Sequence, residues 1–266
     1  MIHVEDRGFQ FADAVYEVFR TYGGQPFAVS EHLERLARSL EAIQLRIDLT
    51  PDRLSALIAE GVRRADFPEA FVYLQISRGQ AKRHRGVPAT ATATVVLTVR
   101  ELESTVQIRQ HGVKLITVPD QRWGRCDIKS VGLLANVLAF QAAKLAGGHD
   151  ALFCEVDGTV NEATAGNIFI IKAGAIRTPP KGPRLLAGVT RDKILQAARA
   201  AGIPTVEERV TLRELLAADE VFLTSTTAEV VPVIAVDGKP IGSGSPGPIA
   251  VRVYAQFMRL VPPPRN

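Results

Sequence analysis

Cysteine is scarce: Cys126 and Cys154 are the only two in 266 residues. That is too few for a disulfide-stapled scaffold, and two free thiols are expected. The first ten residues, MIHVEDRGFQ, lack a basic stretch followed by an apolar one. No secretory signal is expected, and the cytoplasm is the expected location. The longest apolar stretch runs only from about Val131 to Phe140, far short of a bilayer span, so no membrane partner is expected. Tryptophan occurs once and aromatic residues make up 6%, with none interleaved along a basic stripe. Single-strand nucleic-acid binding is thereby disfavoured, although a net charge of +4 admits a small anionic ligand. The five histidines lie far apart, with no i, i+4 pair and no CxxC, so no metal is expected. No internal repeat is visible.

The remaining composition, 46% apolar and 23% charged, is that of a globular chain with a real core. Alternation over Phe11–Thr21 reads as a strand, with Tyr16, Val18 and Arg20 on one face and Val15 and Phe19 on the other. A Gly23-Gly24 turn leads to a short return strand, 26–29. Ser30 then caps a helix with Leu33, Leu36, Leu40 and Ile43 on one side. Thr50-Pro51 opens a second helix reaching about Arg64. Residues 70–77 and 92–100 read as strands around a basic, Gly-containing loop. Residues 1–116 are thus expected to form a smaller N-terminal α/β domain. Residues 117–126, which break the periodicity, serve as a linker, and 127–266 form a larger C-terminal domain. Within that domain 131–147 reads as a buried helix and Asp157-Gly158 as a hairpin turn. Strands follow at 167–172, 175–178, 220–224 and 230–236, with helices at 190–201, 211–217 and 248–260. Gly242 to Gly247 satisfies GxGxxG, but Pro246 and the absence of a βαβ frame make it a surface turn.

Four segments could carry chemistry. Lys129, in Cys126-Asp127-Ile128-Lys129-Ser130, stands at the mouth of an apolar helix. Partial desolvation there would make its amine a nucleophile for a carbonyl, the alternative being a solvated lysine. Glu162 lies between two apolar strands, where a carboxylate needs a cationic partner. A pyridinium nitrogen would be one; an exposed loop glutamate is the plainer reading. Leu186-Ala187-Gly188-Val189-Thr190-Arg191 puts glycine and a hydroxyl at a helix start, and Thr224-Ser225-Thr226-Thr227 ends a strand in hydroxyls, both suited to an anion. Thr190 also reads as an N-cap, and Thr226 with Glu229 as a capping box. Finally, Arg83 and Arg85 in the loop 77–85 offer planar forks to a carboxylate.

In their order along the chain these segments resemble a known family. Gly8-Phe9-Gln10-Phe11-Ala12-Asp13-Ala14-Val15-Tyr16-Glu17-Val18 and His32-Leu33-Glu34-Arg35-Leu36 open the match. Asp127-Ile128-Lys129-Ser130, Asn161-Glu162-Ala163, residues 186–191 and residues 224–229 continue it. Over roughly residues 5–260 the chain is similar to fold-type IV pyridoxal 5'-phosphate enzymes, with the D-amino acid aminotransferases nearest. The resemblance implies an α+β, two-domain fold whose C-terminal domain has a β-barrel-like core, a homodimer, and active sites between the domains near the subunit interface. It implies ping-pong transamination between a D-amino acid, or an (R)-amine, and a 2-oxo acid such as 2-oxoglutarate or pyruvate, through a Lys129 aldimine. Glu162 would face the pyridine nitrogen and Leu186 the ring. Arg35, the N–H groups of Val189 and Thr190, and the Thr226 hydroxyl would hold the phosphate, with Tyr16 near the substrate carboxylate. In the loop matching 78–88, the D-amino acid enzymes carry an arginine and, two residues later, a histidine. Here those positions are Arg83 and Arg85, with His84 between. Branched-chain L-amino acid aminotransferases and aminodeoxychorismate lyases share the scaffold and stand as alternatives. Outside enzymes, the alternative is an anion- or nucleic-acid-binding protein using residues 82–85.

Overall fold

The computed structural model describes residues 2–263. The chain divides into two compact units: one is residues 2–102 with Ile128–Leu133 and residues 262–263; the other is Glu103–Asp127 with Leu134–Val261.

The first unit opens with a one-turn helix, α1 (Arg7–Phe11), which takes the first residue of the strand expected over Phe11–Thr21. Asp6 accepts the Gly8 N–H, and Ala12 leaves the turn in the left-handed region at φ 55°, so the strand β1 (Ala14–Tyr22) begins only at Ala14. After β2 (Gln25–Pro26) comes α2 (Val29–Ala42), then α3 (Pro51–Ala65), β3 (Ala70–Ser77) and β4 (Thr94–Glu101). The sheet is antiparallel in the order β2-β1-β3-β4. The expected return strand stops at Pro26, because Ala28 turns left-handed and caps α2; Ser30 bonds Glu31 instead of capping. In α3 the Thr50 side chain accepts the Arg53 N–H, and Pro51 loses no bond at the first position. Leu54, Ile58 and Val62 then recur every fourth residue and are buried, each contributing roughly 1.5–3 kcal/mol. They join Leu33, Leu36, Leu40, Val15, Phe19, Val72, Leu74 and Ile76 in one core.

The second unit comprises α4 (Val106–His111), β5 (Val113–Pro119), α5 (Leu134–Leu145), β6 (Asp150–Cys154), β7 (Val160–Ala163), β8 (Asn167–Lys172) and β9 (Ala175–Thr178). It continues with α6 (Val189–Ala200), β10 (Thr205–Glu207), α7 (Leu212–Leu216), β11 (Glu220–Ser225), β12 (Glu229–Val236), β13 (Lys239–Pro240) and α8 (Pro248–Phe257). Its sheet runs β10-β9-β8-β11-β12-β5-β6-β7, with β13 on β12. By pairing, β7 is the last strand, yet it lies against β8, so the sheet curls into a half-barrel. Leu115, Leu152, Val160, Ile168, Ile170, Val221, Leu223 and Val233 fill the concave side, and Leu215 of α7 joins them. On the outer side α6 and α8 cover β11, where Phe169 and Phe222 stack at 4.8 Å. Because both faces are covered, β8 and β11 are buried nearly throughout, and their middles, 168–171 and 221–223, are continuous apolar runs rather than alternating.

Four expectations are corrected here. The strand β5 pairs in parallel with β6 and, across a bulge between Val233 and Ala235, with β12, which puts residues 113–119 in the second unit; the chain divides after Leu102, not after 116. Helix α6 is capped by Gly188, not Thr190. Glu229 closes the β11–β12 turn at φ 62° and pairs with Arg109, so it makes no capping box with Thr226. In α5 only Ala139 and Ala143 are buried, against Ala151 and Phe153, while Leu134, Val137, Leu138, Phe140 and Leu145 are exposed. Among the described residues no helix is long and apolar enough to cross a membrane.

Candidate active site

In the first unit, Ile128–Leu133 runs along the free edge of β1. Tyr16 N–H donates to the Lys129 carbonyl at 3.0 Å, Lys129 N–H to Ser39 Oγ at 3.2 Å, and Val131 N–H to the Ala14 carbonyl at 3.2 Å. With Ile128 in the core below, the backbone of Lys129 is fixed on both sides. Its half-buried side chain lays Nζ 4.2 Å from the centre of the Tyr16 ring, and no carboxylate pairs with it among the described residues. Tyr16 stacks in turn on Tyr73 at 5.4 Å, and Tyr73 donates to Gln75 Oε1. Burial, then the nearby Tyr16 phenol, pushes the Tyr73 hydroxyl above its ordinary pKa.

Beneath this pair lies a fully buried charge cluster. Period-two alternation turns Glu17 inward with Val15 and Phe19, and the inner face of α2 answers with His32 and Arg35. Arg35 donates Nε and Nη2 to Glu17 at 2.8 and 2.7 Å, and His32 Nδ1 lies 2.7 Å from the same carboxylate. Burial alone would raise the Glu17 pKa, but the adjacent guanidinium outweighs it and holds the carboxyl at about 2. Burial lowers that of His32; Glu17 opposes this, while Arg35 and Lys129 add to it. His32 is therefore neutral at neutral pH, and Glu17 is left to balance Arg35.

In the second unit Glu162 is a buried carboxylate on β7, not an exposed loop residue. Arg122 Nη1 donates to it at 2.6 Å, Leu186 N–H at 3.1 Å to both oxygens, and Asn167 Nδ2 at 3.1 Å. Arg122 is itself clamped: its Nε and Nη2 donate to Asp120 at 3.0 and 2.8 Å, and its plane lies 4.1 Å over Phe153. Desolvation would weaken the Arg122 charge, but Asp120 and Glu162 more than restore it. Asn167 also donates to the Leu186 carbonyl, tying Glu162 to the start of α6. At Gly188 any Cβ would sit 2.1 Å from Asn167 Oδ1, so glycine is required for this close approach. The first turn of α6, carrying Val189 and Thr190, has no side-chain cap. Thr224, paired with Asn167 across β11 and β8, keeps a buried hydroxyl without a partner. Thr226 is half-buried in the turn beyond it.

Each unit therefore gathers its own part of the expected set: Lys129, Tyr16 and Arg35 in the first, Glu162, Leu186, Val189 and Thr190 in the second. Arg83 and Arg85 are exposed, in the loop between β3 and β4. There Arg83 stacks 4.7 Å over Phe11, and Arg7 donates to the His84 carbonyl at 2.6 Å. Sequence reasoning missed Asp120 and Arg122, which fell within the supposed linker. It missed Glu17 and His32 too, although a carboxylate on the inward phase of β1 was a readable sign.

The sequence model of the family described as Amino-transferase class IV matches residues 14–236. A D-alanine aminotransferase of Bacillus licheniformis is 41% identical over 260 residues, covering 98% of this chain and 92% of that one. Among solved structures, the Escherichia coli branched-chain amino acid aminotransferase superposes with a TM-score of 0.92 at 26% identity, covering 98% of this chain and 89% of that one. A second branched-chain amino acid aminotransferase, solved with pyridoxamine 5'-phosphate, gives 0.89 at 28% identity, covering 97% and 88%. Matched by that family model over residues 14–236 and 41% identical to a D-alanine aminotransferase over 98% of its length, this chain belongs to the class IV aminotransferases and is a pyridoxal-phosphate-dependent enzyme of fold type IV.

Proposed function

We propose that this enzyme exchanges amino groups between D-amino acids, D-alanine foremost, and 2-oxo acids such as 2-oxoglutarate or pyruvate, as a cytoplasmic homodimer. The likeness to the D-alanine aminotransferase over nearly the whole chain supports the donor class. The observation that carries the chemistry is the Lys129 amine, rigid at its backbone, lying on a tyrosine ring and free of any carboxylate among the described residues.

The residues present fit the cofactor. An uncapped helix start with an orphaned Thr224 hydroxyl nearby suits a phosphate, and a buried carboxylate suits a protonated ring nitrogen. When bound, pyridoxal phosphate supplies an aldehyde for the amino group and a ring that spreads negative charge from the donor Cα. Lys129 Nζ is the amine for that aldehyde and the base that moves the Cα proton. Glu162 would face the ring nitrogen, and Leu186 would pack on the ring. Val189 and Thr190 N–H and Thr226 would take the phosphate, and the resemblance adds Arg35, which Glu17 holds in place. Tyr16 lies beside the amine, where it orients the donor.

Two assays test the reading. The purified protein is expected to be yellow, to bleach with borohydride, and to consume D-alanine but not L-alanine with 2-oxoglutarate. Turnover of L-leucine in place of D-alanine would instead favour the branched-chain reaction of the structural neighbours. We assign the donor carboxylate to Arg83 and Arg85. Losing a charge-assisted pair costs about 1.5–3 kcal/mol, so Arg83→Ala is expected to raise the donor KM about ten- to hundredfold while leaving cofactor content unchanged. Unchanged donor kinetics would remove Arg83 from the site.

The exposed apolar row on α5, with Leu134 at 71% and Leu138 at 62% exposure, supports self-association. Leu138→Glu is expected to turn a dimer into a monomer by light scattering; an unaltered dimer mass would place the interface elsewhere.

A further inference from the structure

The carboxylate at position 162 faces a problem of charge. A guanidinium given wholly to Glu162 would leave a neutral pair, a poor counter-ion for a second cation. The geometry points to Asp120 as the positioning residue that prevents this: by clamping Arg122 it leaves Glu162 a net negative charge for the protonated ring nitrogen. The inference rests on the reading of Glu162 as the ring-nitrogen partner and extends it to a residue that need not touch the cofactor.

Three observations carry it. The Asp120 side chain is fully buried, and both oxygens are occupied by the Arg122 fork, Nε on Oδ1 and Nη2 on Oδ2. Of the two terminal nitrogens, Nη1 serves Glu162 at 2.6 Å, while Nη2 goes to Asp120 and the Arg184 carbonyl. Asp120 also accepts from Asn161 Nδ2 at 2.7 Å, and Arg184, 3.7 Å away, is neutralised by Glu155 at 2.6 Å. The cluster thus holds three carboxylates, Asp120, Glu155 and Glu162, against two guanidinium groups, Arg122 and Arg184. One negative charge is left over, in a region where desolvation makes it count. A bidentate fork also fixes the guanidinium plane, already seated over Phe153, so that Nη1 cannot swing away from Glu162.

Asp120→Asn removes the charge and keeps the shape. The test uses the full chain freed of cofactor and titrated with pyridoxamine 5'-phosphate and with its deaza analogue, in which a carbon replaces the ring nitrogen. The unsubstituted protein is expected to prefer the pyridine ring. Asp120→Asn should lose about tenfold of that preference, with affinity for the deaza analogue unchanged. Adding Asn161→Asp to Asp120→Asn returns a carboxylate to the cluster and should restore the preference, which a merely structural role for Asp120 would not produce. Arg184→Gln, on a partly exposed side chain, removes a positive charge and should strengthen the preference. It supplies the test even if Asp120→Asn does not fold. Glu162→Gln serves as the reference. If Glu162→Gln loses the preference while Asp120→Asn keeps it, or if Arg184→Gln weakens it, the role of Asp120 is overturned alone. If Glu162→Gln keeps the preference, the reading of Glu162 falls, and that of Asp120 with it.

Discussion

Lys129→Ala is expected to lower transamination by about ten-thousandfold or more and to yield a protein that no longer bleaches with borohydride. The roles proposed for Lys129 would be lost together: the amine for the aldehyde and the base for the Cα proton. Neither of its buried neighbours Arg35 and His32 is placed to take them over. Arg35 is committed to Glu17, and burial keeps His32 neutral against that same carboxylate. The fold should hardly notice the change. The Lys129 side chain contributes a cation–π contact with Tyr16, worth about 0.5–1 kcal/mol at a half-exposed position, while the bonds that tie the segment to β1 and Ser39 are made by its backbone. A melting curve close to the unsubstituted protein's, beside a collapse in kcat, therefore marks a chemical role. Ordinary turnover in this variant would refute the assignment outright. Lys129→Arg sharpens the comparison: it keeps the charge over the ring but not an amine that can join a carbonyl, and should be as inactive as the alanine variant.

What the sequence made legible follows from the range of the interactions involved. Helix α3 was readable nearly to the residue, since Thr50, Pro51 and the Leu54-Ile58-Val62 stripe are local signals. The hairpin from β6 to β7 was also readable, through Asp157-Gly158. Strand β5 was not, because its partners β6 and β12 lie far along the chain, and the alternation of Val113, Lys114 and Leu115 gives way to half-buried residues from Ile116 to Val118. The caps failed for a related reason. At Ser30 and Thr190 the residue type suited a cap, but Ala28 and Gly188 took the position, the latter because Asn167 leaves no room for a side chain. For the site, the motifs marked Lys129, Glu162 and the start of α6. They could not show that Glu162 shares its charge with Arg122 and Asp120, since that network joins the end of β5 to β7 through folding alone.

Glu17→Ala should be the most destabilising single change in the first unit. The Glu17 carboxylate has no exposure and three close nitrogen contacts, two from Arg35 and one from His32. Its removal leaves the Arg35 charge buried at 4% exposure, facing a neutral imidazole. Breaking a buried pair in this way costs about 3–5 kcal/mol, a large part of the roughly 5–15 kcal/mol that holds a domain folded. The same pair predicts an acid limb. With the Glu17 carboxyl held at about 2 against an ordinary 4.5, its contribution of about 3 kcal/mol is complete above pH 4.5 and is lost as pH falls toward 2. His32 acts in the same direction over a higher range. Its lowered pKa means the unfolded chain takes up a proton below pH 6.5 that the folded chain resists, so stability declines from there on acidification. Urea melts at pH 7 and pH 3 should therefore differ strongly for the unsubstituted protein and less for Glu17→Ala. Pairing Glu17→Leu with Arg35→Met separates stability from function. Apolar replacement of a buried ion pair is often neutral or better, so the double variant should regain much of the lost stability while binding pyridoxal phosphate poorly. A double variant that holds the cofactor as tightly as the unsubstituted enzyme would remove Arg35 from the phosphate, whatever its part in the fold.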